Sequence, residues 1–204
     1  MTKFIKISGI SFILGSIILM LSWFMIFILL FDKIMNQNWI EMVNNNIWII
    51  LNSGLFISIF FIVVGFIGVF ILLNNNKNYS IIGFILLLLG LFWFGSIQYY
   101  ETLIYPIAAK YSVDVFNQIG MNMKNNLLMI AFLLSGIPWF LGFLIFGISM
   151  IKSKIFNKYI VILLIIGANF QLLGLLPVRT LGFVLMFISL LNIGIKLYRC
   201  NITE

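Results

Sequence analysis

The sequence predicts an all-α polytopic membrane bundle of six transmembrane helices, with both termini on the cytoplasmic side. Three observations predict it. First, 63% of the 204 residues are hydrophobic and only 8% are charged, against roughly 25% charged in a soluble domain. Lipid is the solvent that suits such a surface. Second, the apolar residues fall into six long runs, each near the roughly 20 residues that cross a bilayer as a helix. Continuous runs select helices over the alternating strands of a barrel. Third, the lysines and arginines divide unevenly between the two sides that six crossings define.

In chain order the runs are 7–31, 47–73, 79–98, 127–150, 159–176 and 180–197, within one transmembrane domain covering 1–204. The first is too long for the apolar core of a cleaved signal peptide, and no Ala-x-Ala-like site follows it, so it reads as a retained span. The runs carry no Asp, Glu, Lys or Arg until the edge of the sixth, where Lys196 can snorkel outward. Pro138, beside Ser135, Gly136 and Trp139 in the fourth run, removes a helical hydrogen bond and predicts a kink. The 32–46 connection is polar and asparagine-rich. In the 99–126 connection, Leu103, Ile104, Ile107, Tyr111, Val115 and Ile119 recur at helical spacing, opposite Lys110, Asp114, Asn117 and Gln118. That pattern predicts an amphipathic helix on the outer membrane surface or over the bundle, with Pro106 in its first turn.

Orientation follows from the basic residues. Lys3, Lys6, Lys77, Lys152, Lys154, Lys158, Lys196 and Arg199 fall on one side, and Lys33, Lys110, Lys124 and Arg179 on the other. The richer side is cytoplasmic by the positive-inside rule. Asp32, Glu41, Glu101 and Asp114 all fall outside. Tyrosines agree: Tyr79, Tyr159 and Tyr198 sit at the inner boundary and Tyr99, Tyr100 and Tyr105 at the outer one, where amphipathic rings prefer to lie. Richness in Ile, Asn, Lys and Phe, with little Ala, fits an AT-rich coding bias and points to a bacterial cytoplasmic membrane.

Two glycine pairs stand seven residues apart, Gly83 with Gly90 and Gly167 with Gly174. Each makes a small-residue stripe suited to close helix packing. The segments 81–92 and 165–176 around them echo one another, as two corresponding helices of a duplicated hairpin would.

The residues exclude most chemistry. There is no histidine, and Cys200 is alone, so neither a disulfide framework nor a metal-ligand cluster is expected. No phosphate-binding loop, dinucleotide fingerprint or nucleophile elbow occurs. No acid lies inside a run to serve ion coupling or intramembrane hydrolysis. The expectation is a non-enzyme with no cofactor and no metal. The basic residues are scattered over short loops, which suits anionic headgroups and not nucleic acid.

Neutral polar groups remain. Asn52, Gln98 and Gln171, with Glu101 and Arg179, are the candidates for an outer polar cavity, in which Glu101 and Arg179 pair at the mouth and the amides hold a small neutral or zwitterionic ligand. Asn169 and Gln171 point to different faces of one helix and cannot share it. In the alternative, the amides bond neighbouring helices and Arg179 binds lipid phosphate. Two roles stay open beside the lipid contact itself: binding or transport of a small molecule, and an interaction subunit for a membrane-protein partner. A membrane enzyme ranks below both.

The stretch FLGFLIFGISMIKSKIFNKYIVILLIIG, Phe140 to Gly167, and the segment YYETLIYP, Tyr99 to Pro106, resemble a family of uncharacterised bacterial six-span integral membrane proteins, a domain of unknown function. That family usually has a proline and an arginine before the fifth span, where this chain has Lys154, Asn157 and Lys158. The resemblance implies a fold and a location and no activity.

Overall fold

The computed structural model describes residues 2–36, 38–73, 78–112, 114, 126–173 and 176–200. Lys77, Lys124, Gly174 and the Val115–Ile119 part of the surface-helix pattern lie outside the described residues. The described chain is all helical apart from short turns. Five helices are long and apolar enough to cross a membrane. They are α1 (Thr2–Leu29), α4 (Asn46–Leu73), α5 (Asn78–Tyr99) with its continuation, α7 (Asn126–Ser153) and α9 (Leu176–Arg199). Two short helices, α2 (Phe31–Met35) and α3 (Trp39–Val43), lie in the connection between α1 and α4. The remaining long element, α8 (Lys158–Phe170), has 13 residues.

The first helix starts at Thr2, five residues before the expected run, and two of the connections differ more from the sequence expectation. The third run does not end at Gln98. It continues through a π-helical turn, Tyr100–Ile104, into α6 (Tyr105–Tyr111), one helical run from Asn78 to Tyr111. The first half of the expected surface helix is therefore an extension of the third span. Tyr99, Tyr100 and Glu101 interrupt the hydropathy but break no backbone hydrogen bond, so the helix runs on. Pro106 lies in the first turn of α6 and has no N–H to give. Tyr105 N–H bonds back to the Tyr100 carbonyl, and the Glu101 carbonyl instead accepts from Trp48 Nε1 on α4 at 2.8 Å. The π turn thus ties α5 to α4.

The second difference is at the fifth run, expected over 159–176. The helix stops at Phe170 and α9 starts at Leu176, not 180. Leu172 and Leu173 keep the hydropathy high, but their backbone N–H groups already bond in turns, and Pro177 lies in the first turn of α9. Proline in a first turn is preset for a helix start.

The long helices close into a ring in which α4 packs on α1, α1 on α9, α9 on α8, α8 on α7, α7 on α5 and α5 on α4. Small residues make these contacts. A Cβ at Gly9 would lie 2.7 Å from the Gly194 carbonyl oxygen, a Cβ at Gly83 2.7 Å from Phe146 N, and one at Gly167 2.8 Å from Met186 N. Gly83 and Gly90 of α5 face α7, and Gly167 of α8 faces α9. Inside the ring, Phe12, Phe66, Phe143 and Phe146 are buried and meet edge-on, with Phe12 and Phe66 centroids 4.9 Å apart. The centre is packed with these aromatic side chains.

The contacts also sort the ends. Gly9 meets Gly194 and Tyr198, Gly68 meets Ser8, and Lys152 sits over the Tyr79 ring at 5.0 Å. One end of the bundle therefore gathers Lys3, Lys6, Lys152, Lys154, Lys158, Lys196 and Arg199. The opposite end carries Asp32, Lys33, Glu41, Glu101, Lys110 and Arg179. There Lys33 and Glu41 close the only ion pair within 4.0 Å among the described residues, at 3.7 Å.

Candidate functional site

At about 1.5 Å per residue, α8 is about 20 Å long, short of the about 30 Å hydrocarbon layer. Its neighbours α7 and α9 run on past its C-terminus. A helix end carries unpaired carbonyls, which are costly away from water. Here they are taken up locally. Gln171, Leu172 and Leu173 N–H groups donate to the Ala168, Asn169 and Phe170 carbonyls at 3.2 Å each. Trp139 Nε1, on α7, donates to the Ala168 carbonyl at 2.8 Å. Asn169 Nδ2 donates to Ile165 O at 2.8 Å, within its own helix. Gln171 Nε2 reaches the Arg179 carbonyl at 3.4 Å and links the two sides of the turn.

Because α8 stops early, a cavity of about 390 Å³ opens above its end. Trp93, Phe94 and Ile97 of α5 form one wall, and Gly136, Trp139 and Phe140 of α7 another. Gln171, Leu172 and Leu173 form its floor, and Glu101 and Arg179 contribute the charged groups. The lining is mostly apolar, with one carboxylate, one guanidinium and one amide. This composition matches ligand pockets, which are apolar with a few placed polar groups.

Arg179 is held from below by α1. Its guanidinium lies 4.9 Å from the Trp23 ring centre. Trp23 stacks on Phe183 at 4.2 Å and donates from Nε1 to Thr180 Oγ1 at 3.3 Å. A cation over an indole face is attracted by the ring quadrupole. Arg179 Nε and Gln171 Oε1 are buried and have no hydrogen-bond partner. The expected Glu101–Arg179 ion pair is not closed within 4.0 Å, and both charged groups line the one cavity.

No protein-family model, curated protein or solved structure matches the chain. The reading of the site therefore rests on its own geometry.

Of the five residues singled out for an outer cavity, the structure brings together Glu101, Gln171 and Arg179 and leaves two out. Asn52 is buried on α4 and donates from Nδ2 to the Trp48 carbonyl at 2.9 Å, with Oδ1 unpartnered. Gln98 is fully buried with neither amide atom partnered, and its backbone carbonyl accepts from Thr102 Oγ1 at 2.6 Å. Neither lines the cavity. The reason is rotational: helical phase puts Gln98 toward the bundle interior, whereas Ile97 and Glu101, one turn apart, face the gap. Trp23 and Trp139 were not legible as site residues. Indoles in apolar runs look like core, and nothing in the sequence distinguishes a tryptophan that caps a distant helix. A second cavity of about 320 Å³ lies at the basic end, where Lys196 stands beside Asn157 and Asn192.

Proposed function

We propose that the chain is a six-crossing protein of a bacterial cytoplasmic membrane, of the kind its sequence resembles, with both termini inside. In it α8 and the turn after it make the fifth crossing. Its role is to bind a small neutral or zwitterionic molecule in the outer-end cavity, without catalysing a reaction on it. One observation carries this: Glu101, Arg179 and Gln171 line a single apolar-walled cavity, and no ion pair within 4.0 Å joins the two charges. The packed phenylalanine core supports binding over conduction, because a transported solute needs a polar route at mid-depth.

Native mass spectrometry of the protein extracted in mild detergent tests the binding. A bound small molecule is expected on the wild type. Arg179→Gln and Glu101→Gln should each weaken retention about 10- to 100-fold, the worth of one hydrogen bond to a charged group. Equal retention, or no bound mass under any gentle condition, sinks the reading. The crossing topology has its own test, in a Cys200→Ser background. Asn36→Cys should react with an impermeant maleimide on intact cells, and Lys158→Cys only after permeabilisation; the reverse pattern inverts the orientation.

A further inference from the structure

We propose that the cavity takes the head group of a zwitterionic, amine-bearing phospholipid, entering sideways from the outer leaflet. This rests on the binding reading above and names its ligand class.

The route comes from the short α8. Among the described residues, α8 ends about 10 Å, or about two turns, short of the hydrocarbon thickness between α7 and α9. The cavity lining on that side is Ile137, Phe140, Leu172 and Leu173, which are between 37% and 48% exposed. An opening rimmed by large apolar side chains suits a ligand already dissolved in lipid. A water-borne solute would call for a polar rim there.

The charges select the head. One carboxylate and one guanidinium share the cavity, so its ionic groups sum to no net charge. A phosphate accepts from the Arg179 guanidinium and an ammonium donates to the Glu101 carboxylate, the two charged groups of the lining. An anionic head without an amine satisfies Arg179 but faces Glu101 across an apolar space, where an uncompensated charge is costly. A volume of about 390 Å³ sits at the small end of ligand pockets, about 300–1,000 Å³. It has room for a head group and leaves the acyl chains along the exposed Ile137–Leu173 wall.

The same chemistry is offered by a water-soluble zwitterion, and one experiment separates the sources. The full-length protein is placed in nanodiscs, and its tryptophan fluorescence is quenched by brominated-chain phosphatidylethanolamine or by brominated-chain phosphatidylglycerol at equal mole fraction. Trp93 and Trp139 in the lining report on nearby chains. The ethanolamine lipid is expected to quench with an apparent affinity about tenfold higher, the worth of one charge-assisted contact. Glu101→Gln and Arg179→Gln should each erase the difference. So should Gly136→Leu, which fills the lining without touching a charge and covers the case in which a charge variant fails to fold. Free phosphoethanolamine should not relieve the quenching. Equal quenching of the wild type by the two lipids overturns the proposal. Relief by free phosphoethanolamine also overturns it, but leaves the binding reading standing with a soluble ligand. If neither lipid discriminates and no mass is retained in detergent, both fall together.

Discussion

Gly90→Leu is expected to push α5 away from α7 and to lower the melting temperature in detergent more than any other single glycine substitution on α5. A Cβ at Gly90 would fall on the Trp139 Cα and 2.7 Å from Trp139 N. Those are backbone atoms, which cannot rotate aside as a side-chain end can. The only relief is helix separation, which opens the contact along Gly83, Leu87 and Gly90 at once. Overpacking a close core costs about 1–3 kcal/mol and sometimes more, and a backbone collision belongs at the upper end. The expected fall is on the order of 10 °C for a chain of this size. Gly95→Ala on the same helix is the control: its nearest neighbour would be Ile59 Cδ1 at 3.6 Å, an ordinary contact. It should melt at the wild-type temperature or slightly above, since alanine is the better helix former. Equal melting of Gly90→Leu and wild type would mean that α5 and α7 are not packed as described.

Trp139 carries the second large effect, and two substitutions separate its two jobs. The indole is 1% exposed, sits 4.9 Å from Phe94 and 4.8 Å from Phe143 by ring centres, and caps the Ala168 carbonyl. Trp139→Ala should cost about 3–5 kcal/mol, as for other large-to-small changes in a packed core. Trp139→Phe keeps most of the volume and removes only the N–H. It should cost about 1 kcal/mol globally, but the loss should be concentrated at the end of α8. Hydrogen exchange at Gln171–Leu173 is the measurement, with faster exchange there and little change in α1 or α4. Uniform exchange in Trp139→Phe would show that the indole only fills space and does not hold the helix end.

How much could be read in advance varies with the kind of information. Four of the six apolar runs became helices with ends within a few residues of the expected ones, because a charge-free run of that length has few other ways to satisfy its backbone in lipid. The two misplaced boundaries share a cause. Hydropathy is a sum over side chains, and helix termination is a property of the backbone. Tyr99–Glu101 lowered the sum without stopping the helix, and the helix from Lys158 ended at Phe170 although Leu172 and Leu173 kept the run apolar.

The candidate site shows the same divide. Glu101 and Arg179 stand out in any reading as charges at the edges of apolar runs, and both line the cavity. Gln98 and Asn52 are equally conspicuous and are buried away from it. Their helices turn them inward, and a rotation of about 100° per residue decides between cavity and core. Sequence position alone does not carry the relative rotation of two packed helices.

What the sequence determined by itself is the solvent and the secondary structure: 8% charge and long apolar runs require helices in lipid, whatever their neighbours. What only the tertiary structure decided is which helices touch, and that the early end of α8 leaves a space with Glu101 and Arg179 on its walls. The physical reason is range. Burial and backbone satisfaction act along one helix and leave their mark in composition and period. The Trp139 bond to Ala168 and the Trp23 seat under Arg179 join residues 29 apart in one case and 156 apart in the other. Such contacts exist only once the ring has closed.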